Sequence, residues 1–291
     1  MNSLTLDHII LVVSDLQVAT RQFSQLGFSV IAGGVHTGGL THNALVPFPD
    51  GTYLELLATS RSSTLRTLYL LKRLRLLGVY TSNETAIGRR LIEDLASGVG
   101  MNDYALLSLD LQHQVNSIKE RGAFFTEPNP GGRLRPDGKE ITWRTAVPPS
   151  LDLPFLIDDL TPREIRVPAV EENYHSNGIL GINGLAILVS NLVESMAHYR
   201  ALLGDDPVTQ PHYPQPGTQS SEFTLDTRFL SIVTPLPGNS ALRSLLKRRV
   251  ARPLGIFFRT VENGQGDLLS LTYLADKGAT LSRSRVLYPN P

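Results

Sequence analysis

Asp7-His8-Ile9-Ile10-Leu11-Val12-Val13-Ser14-Asp15-Leu16 and Asn183-Gly184-Leu185-Ala186-Ile187-Leu188-Val189-Ser190-Asn191-Leu192 are two versions of one pattern, offset by 176 residues. Without a gap, that offset lays Phe23 on Tyr199, Leu26 on Leu202 and Tyr53-Leu54-Glu55-Leu56-Leu57 on Phe229-Leu230-Ser231-Ile232-Val233. Register kept over such a length marks an internal repeat. A second offset of 95 sets Asp15-Leu16-Gln17 over Asp110-Leu111-Gln112 and Gly27 over Gly122. A fourth unit follows near Leu254, where Lys277-Gly278-Ala279 echoes the helix-to-strand turn Arg121-Gly122-Ala123. The chain stops at Pro291 before that unit completes, so four modules with the last truncated is the simplest count.

Each module reads as strand, helix and antiparallel meander. Ile9 to Val13 is β-branched and apolar, as a buried strand requires. Ser14 and Gln17 stand at capping-box spacing, and Leu16, Ala19, Phe23 and Leu26 then recur at helical intervals up to Gly27. Asp50-Gly51, between Ala44-Leu45-Val46 and Tyr53-Leu54-Glu55-Leu56-Leu57, predicts a hairpin. Two stretches fall outside the pattern. Leucines alternate with Arg66, Lys72, Arg73 and Arg75 in a basic amphipathic helix, which could lie on an anionic membrane or pack as a lid. Its start is echoed by Leu242-Arg243-Ser244-Leu245. Thr161 to Asn177, with Pro162 and Pro168, reads as a linker.

With 291 residues, 41% hydrophobic and 19% charged, the chain can bury two ordinary cores. Its 27 basic and 27 acidic side chains cancel, which gives no field to gather nucleic acid. No run of about 18 apolar residues predicts a membrane span. Cysteine is absent, which excludes disulfides, thiolate metal sites and a cysteine nucleophile. The N-terminus enters strand-like sequence without a signal-peptide pattern, so a cytoplasmic location is expected. No Gly-x-Gly-x-x-Gly, Walker, Gly-x-Ser-x-Gly or His-Glu-x-x-His motif occurs, so no nucleotide cofactor is expected.

The densest polar cluster runs from His36-Thr37-Gly38-Gly39-Leu40-Thr41-His42-Asn43 to Asp50-Gly51-Thr52-Tyr53-Leu54-Glu55-Leu56. Together with Asp7-His8-Ile9, Arg133-Leu134-Arg135-Pro136-Asp137-Gly138 and Ile141-Thr142-Trp143-Arg144, it resembles the glyoxalase-like family of the vicinal oxygen chelate superfamily, over most of residues 5 to 160. The resemblance implies an α+β fold of βαβββ modules paired into half-barrel sheets. Two tandem pairs are expected: residues 1–160 with a helical insertion at about 61–100, a linker at 161–178, and a degenerate pair at 179–291.

The resemblance also implies a divalent ion, Fe, Mn, Ni, Zn or Mg, held by inward His, Glu or Gln side chains of two modules. His8 and Glu55 match the ligand positions of the first module, with Glu55 also a catalytic candidate. Asp103 and, near the second carboxylate position, Asp158 are candidate ligands or substrate contacts; alternatively, Asp103 caps a turn and Asp158 is solvated. His42 could carry a proton or bond a neighbouring loop, and His36 is a further candidate. Arg144 could bind a carboxylate or enolate oxygen, or form a surface ion pair. Gly184 and Ser231 replace His8 and Glu55 in the third module, so the C-terminal half is expected to be a scaffold or homodimer surface.

The expected function is a metal-assisted lyase, isomerase or ring-opening enzyme acting on a small oxygenated metabolite. The rivals are a metal-free protein that sequesters a small molecule and a metal-free cyclase or hydrolase.

Overall fold

The computed structural model describes residues 4–208, 217–247, 249–261, 267–274 and 278–285. The first module contains β1 (Thr5–Val12), α1 (Leu16–Gln25), β2 (Ile31–His36), β3 (Thr41–Pro47) and β4 (Tyr53–Thr59). Asp15, rather than Ser14, caps α1, because its extended backbone lets the carboxylate accept from the Val18 N–H at 2.9 Å. The same cap recurs at both offsets. Asp110 opens α5 (Leu111–Glu120) in the second module, and Asn191 opens α7 (Leu192–Leu203) in the third.

Three helices, α2 (Ser62–Arg73), α3 (Leu77–Tyr80) and α4 (Ala86–Ala96), separate β4 from β5 (Gly100–Leu107). After α5 come β6 (Asn129–Leu134), β7 (Glu140–Ala146), β8 (Phe155–Asp159) and the short α6 (Arg163–Arg166). Each module contributes four strands, and the two curl into one closed barrel of order β1-β4-β3-β2-β6-β7-β8-β5. Leu68, Leu77, Ile92 and Leu95 of the inserted helices pack with Ile10, Val12, Leu57 and Ile157 of the barrel interior. The basic amphipathic helix is therefore a packing element, with Lys72 paired to Glu93 on α4.

The C-terminal half builds an open sheet from β9 (Ile179–Val189), β10 (Thr218–Leu225), β11 (Arg228–Pro235), β12 (Ala251–Thr260), β13 (Asp267–Leu274) and β14 (Gly278–Arg285). Its order is β10-β11-β9-β12-β13-β14, with α8 (Ser240–Leu246) between β11 and β12. Lys277 lies outside the described residues. The stretch before it is a strand, not the helix that the Arg121-Gly122-Ala123 comparison predicts. Leu269, Leu271 and Tyr273 recur with the period of a strand, and β13 forms a hairpin with β14.

β1 and β4 run parallel with His8 opposite Tyr53, and β9 and β11 run parallel with Gly184 opposite Phe229. The registers correspond residue for residue at the offset of 176. A Cβ on Gly184 would lie 2.3 Å from the Phe229 ring, so the ring occupies the space that a side chain needs in the first module. One core joins the halves: Ile9, Leu54 and Leu56 on the outer face of the barrel cluster with Ile182, Leu185 and Phe258. The 161–178 stretch is packed as well. His175 is buried, accepts from the Ser29 N–H at Nδ1 (3.0 Å), and so donates from Nε2 to the Pro47 carbonyl at 2.8 Å.

Candidate active site

Strand alternation decides which polar residues meet. On β1, Ile9 and Leu11 face the outer core, whereas His8, Ile10 and Val12 face inward. The inward set of β2 to β8 includes His36, Asn43, Glu55, Asp103, Arg133, Thr145 and Phe155, around a cavity of about 110 Å³. Ile87, Arg90, Leu91 and Asp94 of α4 line it on one side, and Arg166 of α6 enters it as well.

Asp7 and His8 are chain neighbours yet bond to each other, because the β1–β5 register shifts between Leu6 and His8. Such a bulge re-aims a side chain that alternation would send the other way. Burial works to raise the Asp7 pKa, but Arg166, His8 and Arg163 hold the carboxyl well below the usual range. An ionised Asp7 only accepts, so the His8 Nδ1, 2.7 Å from its Oδ2, carries the proton. The His8 Nε2 lone pair then faces Glu55 Oε2 at 3.4 Å.

Glu55 is approached from its other side by His36, whose Nε2 lies 3.4 Å from Oε1 and whose Nδ1 lies 2.9 Å from the Thr41 hydroxyl. The Asn43 amide donates to the same Oε1 at 2.7 Å. Burial would raise the Glu55 pKa, but His36, His8 and the Asn43 bond together hold it below the ordinary glutamate value. Burial lowers the His36 pKa against the pull of Glu55, which leaves a neutral imidazole beside an ionised carboxylate at neutral pH.

The other residues singled out from sequence fall elsewhere. His42 lies on the outer face of β3 opposite Ala58, and borders a surface hollow with Asp15 and Ser60. Arg144 and Asp158 are register partners across β7 and β8 that pair with each other, Nε to Oδ1 at 3.0 Å, while their neighbours Trp143, Thr145, Phe155 and Ile157 line the cavity. Asp103 does line the cavity, but Arg90 grips it with two bonds of 2.6 and 2.7 Å, and Arg249 approaches to 3.8 Å.

Symmetry identifies the second module's equivalents. His8 pairs with Ala105, and Ile10 with Asp103, across antiparallel β1 and β5, so Asp103 corresponds to His8 and Ala105 to Ile10. Ile10 neighbours Glu55 while Ala105 neighbours Phe155, which puts Phe155, not Asp158, at the Glu55 position. A divalent ion shared between modules would thus find His8 and Glu55 on one side, but an Arg-bound aspartate and a phenyl ring on the other. Among the described residues no group of three or more His, Asp or Glu is placed to hold an ion. The donors do not fit a two-module metal site.

From the sequence His36 is one candidate among several, and Asp7, Asn43, Arg133 and Arg166 are not distinguished as site residues. Arg166 is 2% exposed and binds Asp7, Tyr53 Oη and Asp159, yet it comes from the presumed linker. No clean polar alternation marks them: β2 carries one polar side chain, His36, and the polar residues of β3 are consecutive.

The sequence model of the glyoxalase-like domain family matches residues 6–203. No curated protein matches the chain. Among solved structures, a hypothetical protein from Staphylococcus aureus is 13% identical, with 96% of this chain and 98% of that one covered and a TM-score of 0.66. A triple mutant of 4-hydroxymandelate synthase from Streptomyces coelicolor is 11% identical, with coverages of 99% and 95% and a TM-score of 0.56. Both likenesses are of fold. Among the described residues no helix is long and apolar enough to cross a membrane. With two thirds of its length matched and paired βαβββ modules closing its barrel, the chain belongs to the glyoxalase-like domain family of the vicinal oxygen chelate superfamily.

Proposed function

We propose that the barrel cavity moves a proton on a small oxygenated metabolite, with Glu55 as the base and His8 and His36 as its flanking groups. The observation that carries this reading is a buried, ionised carboxylate with an imidazole Nε2 at 3.4 Å from each of its oxygens. Glu55 would take a proton from a carbon next to a carbonyl. The vacant Nε2 of His8 can accept that proton, because Asp7 stabilises the resulting imidazolium through Nδ1. Neutral His36, with its Nδ1 accepting from the Thr41 hydroxyl, presents its Nε2–H to Glu55 and fixes the carboxylate. A carboxylate that takes a proton and an imidazole that returns it to a second atom serve an isomerisation or an elimination. A positioned base of this kind contributes about 10²–10⁴-fold.

A second reading, binding without turnover, is favoured by the covering of the cavity by α4 and α6. The two readings, and the metal-assisted one, separate in one assay: exchange of carbon-bound protons of small carbonyl compounds into D₂O, followed by proton NMR. Exchange that persists after chelation supports the acid–base reading. Exchange lost on chelation and restored by Fe, Mn, Ni, Zn or Mg supports a metal. Saturable binding with no exchange supports sequestration.

A further inference from the structure

Among the described residues, the buried guanidinium groups that line or adjoin the cavity are matched to carboxylates with one exception. Arg166 is paired with Asp7 and Asp159, Arg90 with Asp103, and Arg249 with Asp94. Arg133 is 4% exposed and lines the cavity, yet among the described residues no carboxylate lies within ion-pair distance of it. Its Nη2 donates to the Arg166 carbonyl at 2.6 Å, and its Nε has no partner among the described residues. Glu55 shares the cavity, but its oxygens face Asn43, His8 and His36. Leaving a buried charge unpaired is strongly unfavourable, of the order of 3–5 kcal/mol where a partner is removed. An anionic ligand would supply the missing partner.

We infer that Arg133 anchors the carboxylate of the substrate, so that the cavity takes small monocarboxylates bearing a carbonyl or hydroxyl group. The inference deepens the proton-transfer reading and rests on it for the identity of the reacting carbon. Two further features support it. The Thr145 hydroxyl, also buried on the cavity wall, has no partner among the described residues and is a second polar group that an oxygen of the ligand can satisfy. Arg133 is the register partner of His36 across β2 and β6, so a carboxylate held there leaves its adjoining carbon on the His36–Glu55 side. Ile10, Leu57, Trp143 and Phe155 leave apolar wall for a short side chain. The cavity's 110 Å³ compares with the roughly 150 Å³ that accommodates benzene, which limits the ligand to a handful of heavy atoms.

Calorimetric titration with pyruvate, pyruvamide and inorganic phosphate tests the assignment. Pyruvate should bind the wild-type protein more tightly than either alternative. Arg133→Gln should weaken pyruvate about tenfold to a hundredfold, the loss of a charge-assisted bond, and leave pyruvamide unchanged. Thr145→Val, which retains the side-chain shape, should weaken pyruvate severalfold and decides the matter if Arg133→Gln does not fold. Glu55→Gln should still bind pyruvate even where proton exchange is lost, so failure of the catalytic reading and failure of the anchor give different results. Equal binding of pyruvate and pyruvamide, phosphate binding as tight as pyruvate, unchanged pyruvate binding in a folded Arg133→Gln or Thr145→Val protein, or no pyruvate binding to the wild type would each overturn it.

Discussion

Glu55 and Phe155 occupy equivalent positions in the two modules of the barrel: Glu55 lies beside Ile10 on β1, and Phe155 beside Ala105 on β5. The pair explains why the site is one-sided. Where the first module presents a carboxylate, the second presents an apolar wall, and where the first presents His8, the second presents Asp103 locked in an ion pair.

Asp103 accordingly carries structure. Asp103→Asn removes the partner of buried Arg90 and should lower the free energy of unfolding by about 3–5 kcal/mol, read from the urea midpoint. Glu55→Gln, with no guanidinium within ion-pair distance among the described residues, should lose much less. Equal losses would argue against this division of roles.

The acid limb of stability follows from Asp7. Its pKa is depressed in the folded protein, so its contribution is complete above the unfolded carboxyl's value of about 4 and is lost as pH falls toward the folded value. Stability measured against pH should therefore fall steeply below about pH 4 in the wild type and less steeply in Asp7→Asn. Parallel curves would show that the Asp7–Arg166 pair is not the source.

Trp143 is the single tryptophan and stands edge-on to His36, with ring centroids 6.2 Å apart on the cavity wall. Its emission should change saturably as pyruvate fills the cavity, and the change should require Arg133. A spectrum indifferent to saturating ligand would place the ligand elsewhere.

In the C-terminal half, the filled counterpart of the site makes a local prediction. Gly184→Ala drives a methyl into the Phe229 ring and should destabilise by about 1–3 kcal/mol, with proton exchange per folded molecule unchanged. Thermal unfolding and the exchange assay together check it.

The paired modules were legible because β1 and β9 keep their register against β4 and β11, and because Gly184 and Ser231 stand out at the offset of 176. Phase within the strands was not. Thr41-His42-Asn43 is polar at consecutive positions, so composition could not tell that Asn43 faces in and His42 out. Arg144 and Asp158 are paired residues on neighbouring strands, and both strands direct the intervening side chains inward. In the sequence Asp158 stands near the position of Glu55, and only the β5–β8 register, which spacing does not give, selects Phe155 as its counterpart. Arg166 reaches Asp7 across 159 positions, a contact with no local signature.

Proton exchange into D₂O by Glu55→Gln and His42→Ala, measured side by side with the wild-type protein on the same small carbonyl compounds, tests most directly whether the chemistry lies inside the barrel. The account predicts a loss of at least about a hundredfold for Glu55→Gln, as expected for a missing general base, and full activity for His42→Ala. Full exchange by a folded Glu55→Gln protein, or its loss in His42→Ala, would contradict it.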